Sequence, residues 1–180
     1  CEGVCGGDVE CEQNPYDCSD CTFVCPPPCS PDDSDCIENT DCIGDYYSIQ
    51  DAIDNTPEYG TILVENGTYY ENLIIDKSIV LASHAIYDNL DEWVMFDDFM
   101  FFQWEINNDN INNTRINGSN PTDPDLGSVI IIAPSSDTCI APEIVGFTLQ
   151  GGSGTSVVRE TDEGEINVVL GGRILADVSD

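Results

Sequence analysis

Positive charge is what this chain lacks most. Its 180 residues include only four Lys and Arg (Lys77, Arg115, Arg159 and Arg173) and one His, against 35 Asp and Glu, for a formal net charge of −31. A surface so acidic repels phosphate backbones and anionic headgroups, which excludes nucleic acid and membrane surfaces as partners and favours counter-cations. No run of about eighteen apolar residues exists, so no segment is expected to span a bilayer as a helix. There is no initiator methionine and no signal-peptide pattern, and a chain that begins at Cys1 reads as processed or cut. Apolar residues, at 41%, are plentiful enough for a real core.

Cysteine is present in quantity and unevenly placed. Nine of the ten lie in the first stretch (Cys1, Cys5, Cys11, Cys18, Cys21, Cys25, Cys29, Cys36 and Cys42), and the tenth is Cys139. Nine is odd, so internal pairing leaves one thiol whose remaining partner is Cys139. In a secreted chain the simplest solution is four disulfides within the first stretch and one to the body. The pairing itself cannot be read from spacing. Zinc is the rival use, since Cys18 and Cys21 have C-x-x-C spacing, but the sole histidine, His84, is remote in sequence. Residues 1–45 therefore read as a disulfide-stapled, loop-rich module. They hold Gly6-Gly7, Pro26-Pro27-Pro28 and twelve of the acids, with no apolar period.

Residues 46–180 read as a second unit. Ile49, Ala52 and Ile53 recur at helical spacing within 46–56. Ser48 is placed to cap that helix, Asp51 lies in its first turn, and Thr56-Pro57 stops it. Short β-branched runs follow: 61–64, 72–75, 78–81, 128–132, 144–149, 166–170 and 173–176. Taken alone, Asn66-Gly67 reads as a hairpin turn, and the runs as an antiparallel sandwich.

Taken together, several motifs give a different reading. Ser48-Ile49-Gln50-Asp51-Ala52-Ile53 is followed by Gly60-Thr61-Ile62-Leu63-Val64, Gly67-Thr68-Tyr69-Tyr70-Glu71-Asn72-Leu73 and Lys77-Ser78-Ile79-Val80-Leu81. This order resembles the start of right-handed parallel β-helix proteins of the pectin-lyase-like group. Ile144-Val145-Gly146-Phe147-Thr148-Leu149-Gln150-Gly151-Gly152 resembles an interior coil, and Gly171-Gly172-Arg173-Ile174-Leu175-Ala176 the start of another. The resemblance covers 46–86 well and 128–180 loosely. It implies an all-β fold: a short right-handed parallel β-helix with an N-terminal capping helix, preceded by the disulfide-rich module. The first coil would expose its apolar end, and residues 46–56 sit where a covering helix belongs. Residues 87–127 interrupt the coils as an aromatic and Asn-rich insertion. Its Trp93, Phe96, Phe99, Phe101, Phe102 and Trp104 pack on the coil flank or form an interface or a glycan platform.

No catalytic motif of that group stands in this chain. Lys77 falls in a structural strand region, and Arg173 beside Asp177 and Asp180 reads as a surface ion pair. Ser83, His84 and Asp88 can be assembled into a triad on paper, but neighbours in a strand point to opposite faces, and His84 reads as a polar residue at a strand end. Calcium is the cofactor suited to the acidic loops, with Asp32, Asp33, Asp35, Glu38 and Asp41 in the first module and Asp123 and Asp125 before Gly127, although none has EF-hand spacing. Asn66, Asn112 and Asn117 each begin an N-glycosylation sequon.

These observations predict a non-enzymatic, secreted or cell-surface structural or adhesive protein. Its last coil, ending near Asp180, carries no evident cap. The expected partner is a second copy in a head-to-tail filament, or further chain beyond residue 180. The alternatives are the N-terminal part of a carbohydrate-active β-helix lyase or esterase, and a glycan-binding module.

Overall fold

The structure, a computed structural model, describes residues 20–30, 32–37, 42–89, 94–96, 104–134, 139–161 and 164–176. Sheet dominates and helices are few, which places the protein in the all-β class. In chain order the elements are β1 (Thr22–Val24), α1 (Ile49–Asn55), β2 (Thr61–Val64), β3 (Gly67–Tyr69), β4 (Leu73–Ile75), β5 (Val80–Ser83), β6 (Val94–Phe96), β7 (Trp104–Ile106), α2 (Asp109–Asn113), β8 (Thr114–Asn117), β9 (Leu126–Gly127), β10 (Ile130–Ile132), β11 (Glu143–Val145), β12 (Thr148–Gln150), β13 (Gly154–Thr161), β14 (Gly164–Leu170) and β15 (Ile174–Ala176). A 3₁₀ turn, His84–Tyr87, follows β5.

Three sheets are wholly parallel. The first is ordered β1-β2-β5-β11, the second β12-β8-β3 and the third β15-β10-β4. From β2 the chain therefore visits first, second and third sheet in rotation: β2, β3, β4, then β5, β8, β10, then β11, β12, β15. Among the described residues two excursions with antiparallel pairs of their own interrupt the rotation. One, between β5 and β8, holds the antiparallel pair β6–β7 and α2. The other, between β12 and β15, is the antiparallel hairpin β13–β14, whose base also pairs with β9.

Parallel register stacks like on like. Ile62, Leu81 and Ile144 form one column, Tyr69, Ile116 and Leu149 a second, and Leu73, Ile130 and Ile174 a third. The first two members of every column are 0% exposed. The third members are not. Ile144 and Leu149 are only partly buried, and Ile174 is 45% exposed. Each fully buried side chain of this size contributes about 1.5–3 kcal/mol, so the core is strongest at its beginning and thins toward its end.

The beginning is closed by two devices. α1 lays Ile49, Ala52 and Ile53 on the core. Its amino end is held by Glu71, whose carboxylate accepts from Ile49 N, Gln50 N and the Ser48 hydroxyl, each at 2.9 Å, while Ser48 Oγ accepts from Asp51 N at 3.2 Å. Its carboxyl end is met by Lys77 Nζ, which donates to Asp54 O and Thr56 O. Opposite charges thus sit where the helix dipole favours them. The cysteine-rich segment supplies the second device. β1 adds to β2 in parallel, and Tyr46 bridges to Val24. Cys25–Cys42 and Cys29–Cys36 staple this segment, and Cys21 and Cys139 are also disulfide-bonded. Crosslinks over loops near fifteen residues stabilise by about 3 kcal/mol on the chain-entropy argument.

Several boundaries differ from expectation. Asn66-Gly67 is no hairpin turn, since β2 and β3 lie in different sheets and each finds its partner from a later turn of the chain. The run 144–149 divides into β11 and β12 at Gly146, which adopts φ 82. A Cβ there would also lie 2.5 Å from Ser83 Oγ and 2.6 Å from Ala85 Cβ, so glycine alone makes this corner. The Asn-rich part of the insertion contains α2 and β8, and β13 lies outside the expected β-branched runs.

Position in the stack sets the cost of truncation. Ile130→Ala is expected to destabilise by about 2–5 kcal/mol, whereas Ile174→Ala in the same column costs about 1 kcal/mol or less. Denaturant unfolding of both variants, with disulfides intact, checks this; equal costs would contradict the gradient.

Candidate functional site: the cleft at Tyr70

Strand alternation sends the two consecutive tyrosines opposite ways. Tyr69 points inward, is 0% exposed, and donates its hydroxyl to Glu65 O at 2.9 Å and Val24 O at 3.1 Å. Burial, with Glu65 and Glu71 adding to it, pushes its phenol far above the ordinary value of 10.0. Tyr70 points outward, is 43% exposed, and donates to Asp33 Oδ2 on the Cys29–Cys36 loop.

Tyr70 is the wall shared by two cavities. One, of about 320 Å³, is lined by Gln50, Glu71, Asn72, Ile74, Ile131 and the loop residues Asn120, Thr122, Asp123 and Leu126. The other, of about 460 Å³, lies between the cysteine-rich segment and the second sheet, and Asp33, Asp35, Arg115, Asn117, Ser119, Gln150 and Gly151 line it. Arg115, Asn117 and Gln150 are there because β8 and β12 stack in register, Arg115 on Thr148 and Asn117 on Gln150.

Several of the polar groups are already engaged. Glu71 caps α1. Asn72 Nδ2 donates to Ser128 O at 2.9 Å and Gly118 O at 3.1 Å. Arg115 Nε donates to Asn112 O at 2.9 Å and its guanidinium reaches Asp35 O at 3.4 Å. Asn117 Oδ1 accepts from Ser119 N. The result is an outward aromatic ring flanked by amide, hydroxyl, carboxylate and guanidinium groups.

Asp33 accepts from Asp35 N, and Asp123 accepts from Asp125 N, so both pairs form local turns. Asp32 lies in the same cystine loop as Asp33 and Asp35. Glu38 and Asp41 lie outside the described residues. Among the described residues no group of three or more His, Cys, Asp or Glu is placed to hold a metal ion. Of the sequons, Asn112 is exposed, with Nδ2 donating to Ile106 O at 3.0 Å. Asn66 is half-buried and accepts from the Thr114 hydroxyl, and Asn117 is half-buried in its own turn. Phe96 and Trp104 are backbone partners across β6 and β7. Trp93, Phe99, Phe101 and Phe102 lie outside the described residues, as do Cys1, Cys5, Cys11, Cys18, Asp177 and Asp180.

His84 lines neither cavity. It opens the 3₁₀ turn with Nε2 2.8 Å from Glu65 Oε1. The Ser83 hydroxyl donates to Gly146 O at 2.5 Å rather than to His84. Asp88 accepts from Asn108 and Asn110, each at 2.9 Å, and with His84 nearby these bonds, Asn110 first, hold its carboxyl below the usual range. The cleft residues Tyr70, Arg115 and Gln150 went unforeseen. Period-two alternation from the buried Tyr69 would have placed Tyr70 outside, but nothing short of the cross-strand register unites it with Gln150.

No protein-family model, no curated protein and no solved structure matches the chain. No helix among the described residues is long and apolar enough to cross a membrane.

Two titrations test this electrostatic picture. Tyr69 ionises in the unfolded chain near its ordinary value but not in the fold, so its contribution to stability is present below pH about 10 and falls as pH rises further. Spectrophotometric titration should show one tyrosine resisting ionisation until unfolding, and Tyr69→Phe should remove that delayed phase while costing about 1 kcal/mol, since Glu65 O loses the Tyr69 donor whereas Val24 O keeps Glu65 N. Asp88 behaves oppositely: its contribution is present above the ordinary carboxylate range and lost as pH falls through its lowered value. NMR titration should find it below the exposed aspartates and returned toward them by Asn110→Ala.

Proposed function

We propose that residues 46–176 form the opening turns of a short right-handed parallel β-helix of the pectin-lyase-like kind. In this reading the protein is a non-enzymatic extracellular structural or adhesive protein that associates with itself through the far end of the stack. The rotation of the chain through three parallel sheets supports the fold, and the disulfide-bonded cysteines fit a secreted or cell-surface life. One observation carries the function. All three core columns pass from fully buried to half-open at the same end, which β11, β12 and β15 form as the last strands of their sheets. Open parallel edges beside exposed apolar side chains are a template for another chain.

Light scattering and electron microscopy on the native protein test this. Species larger than a monomer are expected, growing with concentration, and monodisperse monomers at every salt and calcium concentration would overturn it. The same preparation is expected to leave pectin and alginate uncleaved, and turnover of either would favour the enzyme reading.

A second reading rests on the cleft. The outward Tyr70 ring between two cavities, with Gln150, Asn117 and Arg115 beside it, supports glycan recognition through ring stacking and amide hydrogen bonds. On a glycan array, binding that disappears in Tyr70→Ala while the disulfides and fold persist would establish it, and no binding above background would remove it.

A further inference from the structure

Charge around the Tyr70 ring is one-sided. The two cavity linings together carry the carboxylates of Asp33, Asp35, Glu71 and Asp123 against a single guanidinium, Arg115. Asp33 and Glu71 already accept hydrogen bonds at both oxygens, Asp33 from Asp35 N and the Tyr70 hydroxyl, Glu71 from the amino end of α1. Asp35 and Asp123 differ. Both are exposed, and each lines one of the two cavities, so the ring stands between them. Among the described residues the one ion pair is Glu65 with His84, so neither aspartate has a cationic partner in the fold. Nor are the cleft carboxylates gathered for a metal ion, since among the described residues no three such groups converge. Arg115 spends its Nε on Asn112 O and turns a terminal nitrogen to Asp35 O.

We infer that the cleft takes an amino glycan, a chain of sugars bearing free ammonium groups, laid across the Tyr70 ring with ammonium groups at Asp35 and Asp123. This rests on the glycan reading of the cleft proposed above and names its ligand class. An aromatic face attracts a cation through its quadrupole, and unpaired carboxylates on either side add to that attraction. Single charges set apart suit a polymer with one charge per sugar, whereas a divalent ion needs several oxygens converging on one point. A uronate or sulfated chain meets the opposite field, because the cleft carboxylates and the net charge of −31 both repel it. The Gln150 side-chain amide, which has no hydrogen-bond partner among the described residues, lines the larger cavity and is left for sugar hydroxyls.

Titration calorimetry on the intact, disulfide-bonded chain is the test, at pH about 5.5, where carboxylates are ionised. The probes are a glucosamine tetramer, its fully N-acetylated counterpart, and a galacturonate tetramer with and without calcium. The glucosamine tetramer is expected to bind tightest and to lose at least about tenfold in affinity between about 0.02 and about 0.5 M NaCl, while the galacturonate tetramer does not bind. Asp35→Asn combined with Asp123→Asn should weaken glucosamine binding at least about tenfold, and the amide at position 123 keeps an acceptor for Asp125 N. Glu160→Gln combined with Glu165→Gln, on the β13–β14 hairpin and in neither cavity lining, should leave it unchanged. Equal losses in the two double variants would overturn the inference, because the cationic chain would then be answering to the whole acidic surface. Equal binding of the N-acetylated tetramer, lost in Tyr70→Ala, or tighter binding of galacturonate, would overturn the ammonium site while leaving glycan recognition standing. No binding of any probe, together with a silent glycan array, would overturn both.

Discussion

Parallel register is the constraint from which the rest of this protein follows. Once β5 lies on β2 with Leu81 over Ile62, β8 and β10 must follow with Ile116 over Tyr69 and Ile130 over Leu73, because one connected chain supplies all three. Backbone bonds and apolar columns then reinforce each other along one axis. A stack built this way has no intrinsic end, since every rung presents to the next the same unpaired backbone groups and apolar tops that it received from the last. Termination therefore has to be provided by something other than another rung.

At one end the protein provides it with polar chemistry as much as with burial. α1 alone would cover the columns but leave strand edges open. The Gln50 amide reproduces a strand's donor and acceptor for Ile74, Glu71 fixes the helix from which Gln50 projects, and the cysteine-rich segment completes the other two edges through β1 and Ile37. That segment is too poor in apolar residues to hold such a position by burial, so its disulfides hold it. Module and stack are thus one closure, and the cleft at Tyr70 forms where their surfaces meet, with Asp33 and Asp35 from the first facing Arg115 and Gln150 from the second.

Much of this was legible along the chain. The capped helix, the brief β-branched strands of 61–81 and the cysteine-rich beginning all carry local signatures: helical spacing with a serine cap, β-branched runs bounded by turn residues, and odd-numbered crowding of thiols. Lys77 was read as structural, and its ammonium donates to backbone carbonyls at the end of α1. Elements whose residues have weak local preference were not legible. β8 reads Thr-Arg-Ile-Asn within an Asn-rich tract, and only Ile116 seated between Tyr69 and Leu149 makes it a strand. Asn66-Gly67, with strong hairpin propensity, is overruled because the strands on either side gain more from stacking on later turns than from pairing with each other.

Sequence alone determined the class of the fold, the position of the helix, the acidity of the chain and the crowding of cysteines at its beginning, because each depends on composition or on neighbours within a few residues. Tertiary structure alone decided which strands meet, that Tyr70 would share a wall with Gln150, and that one end of the stack would be sealed and the other left half-open. Those outcomes depend on the register between segments far apart in the chain, and register is a property of contacts that no single segment contains.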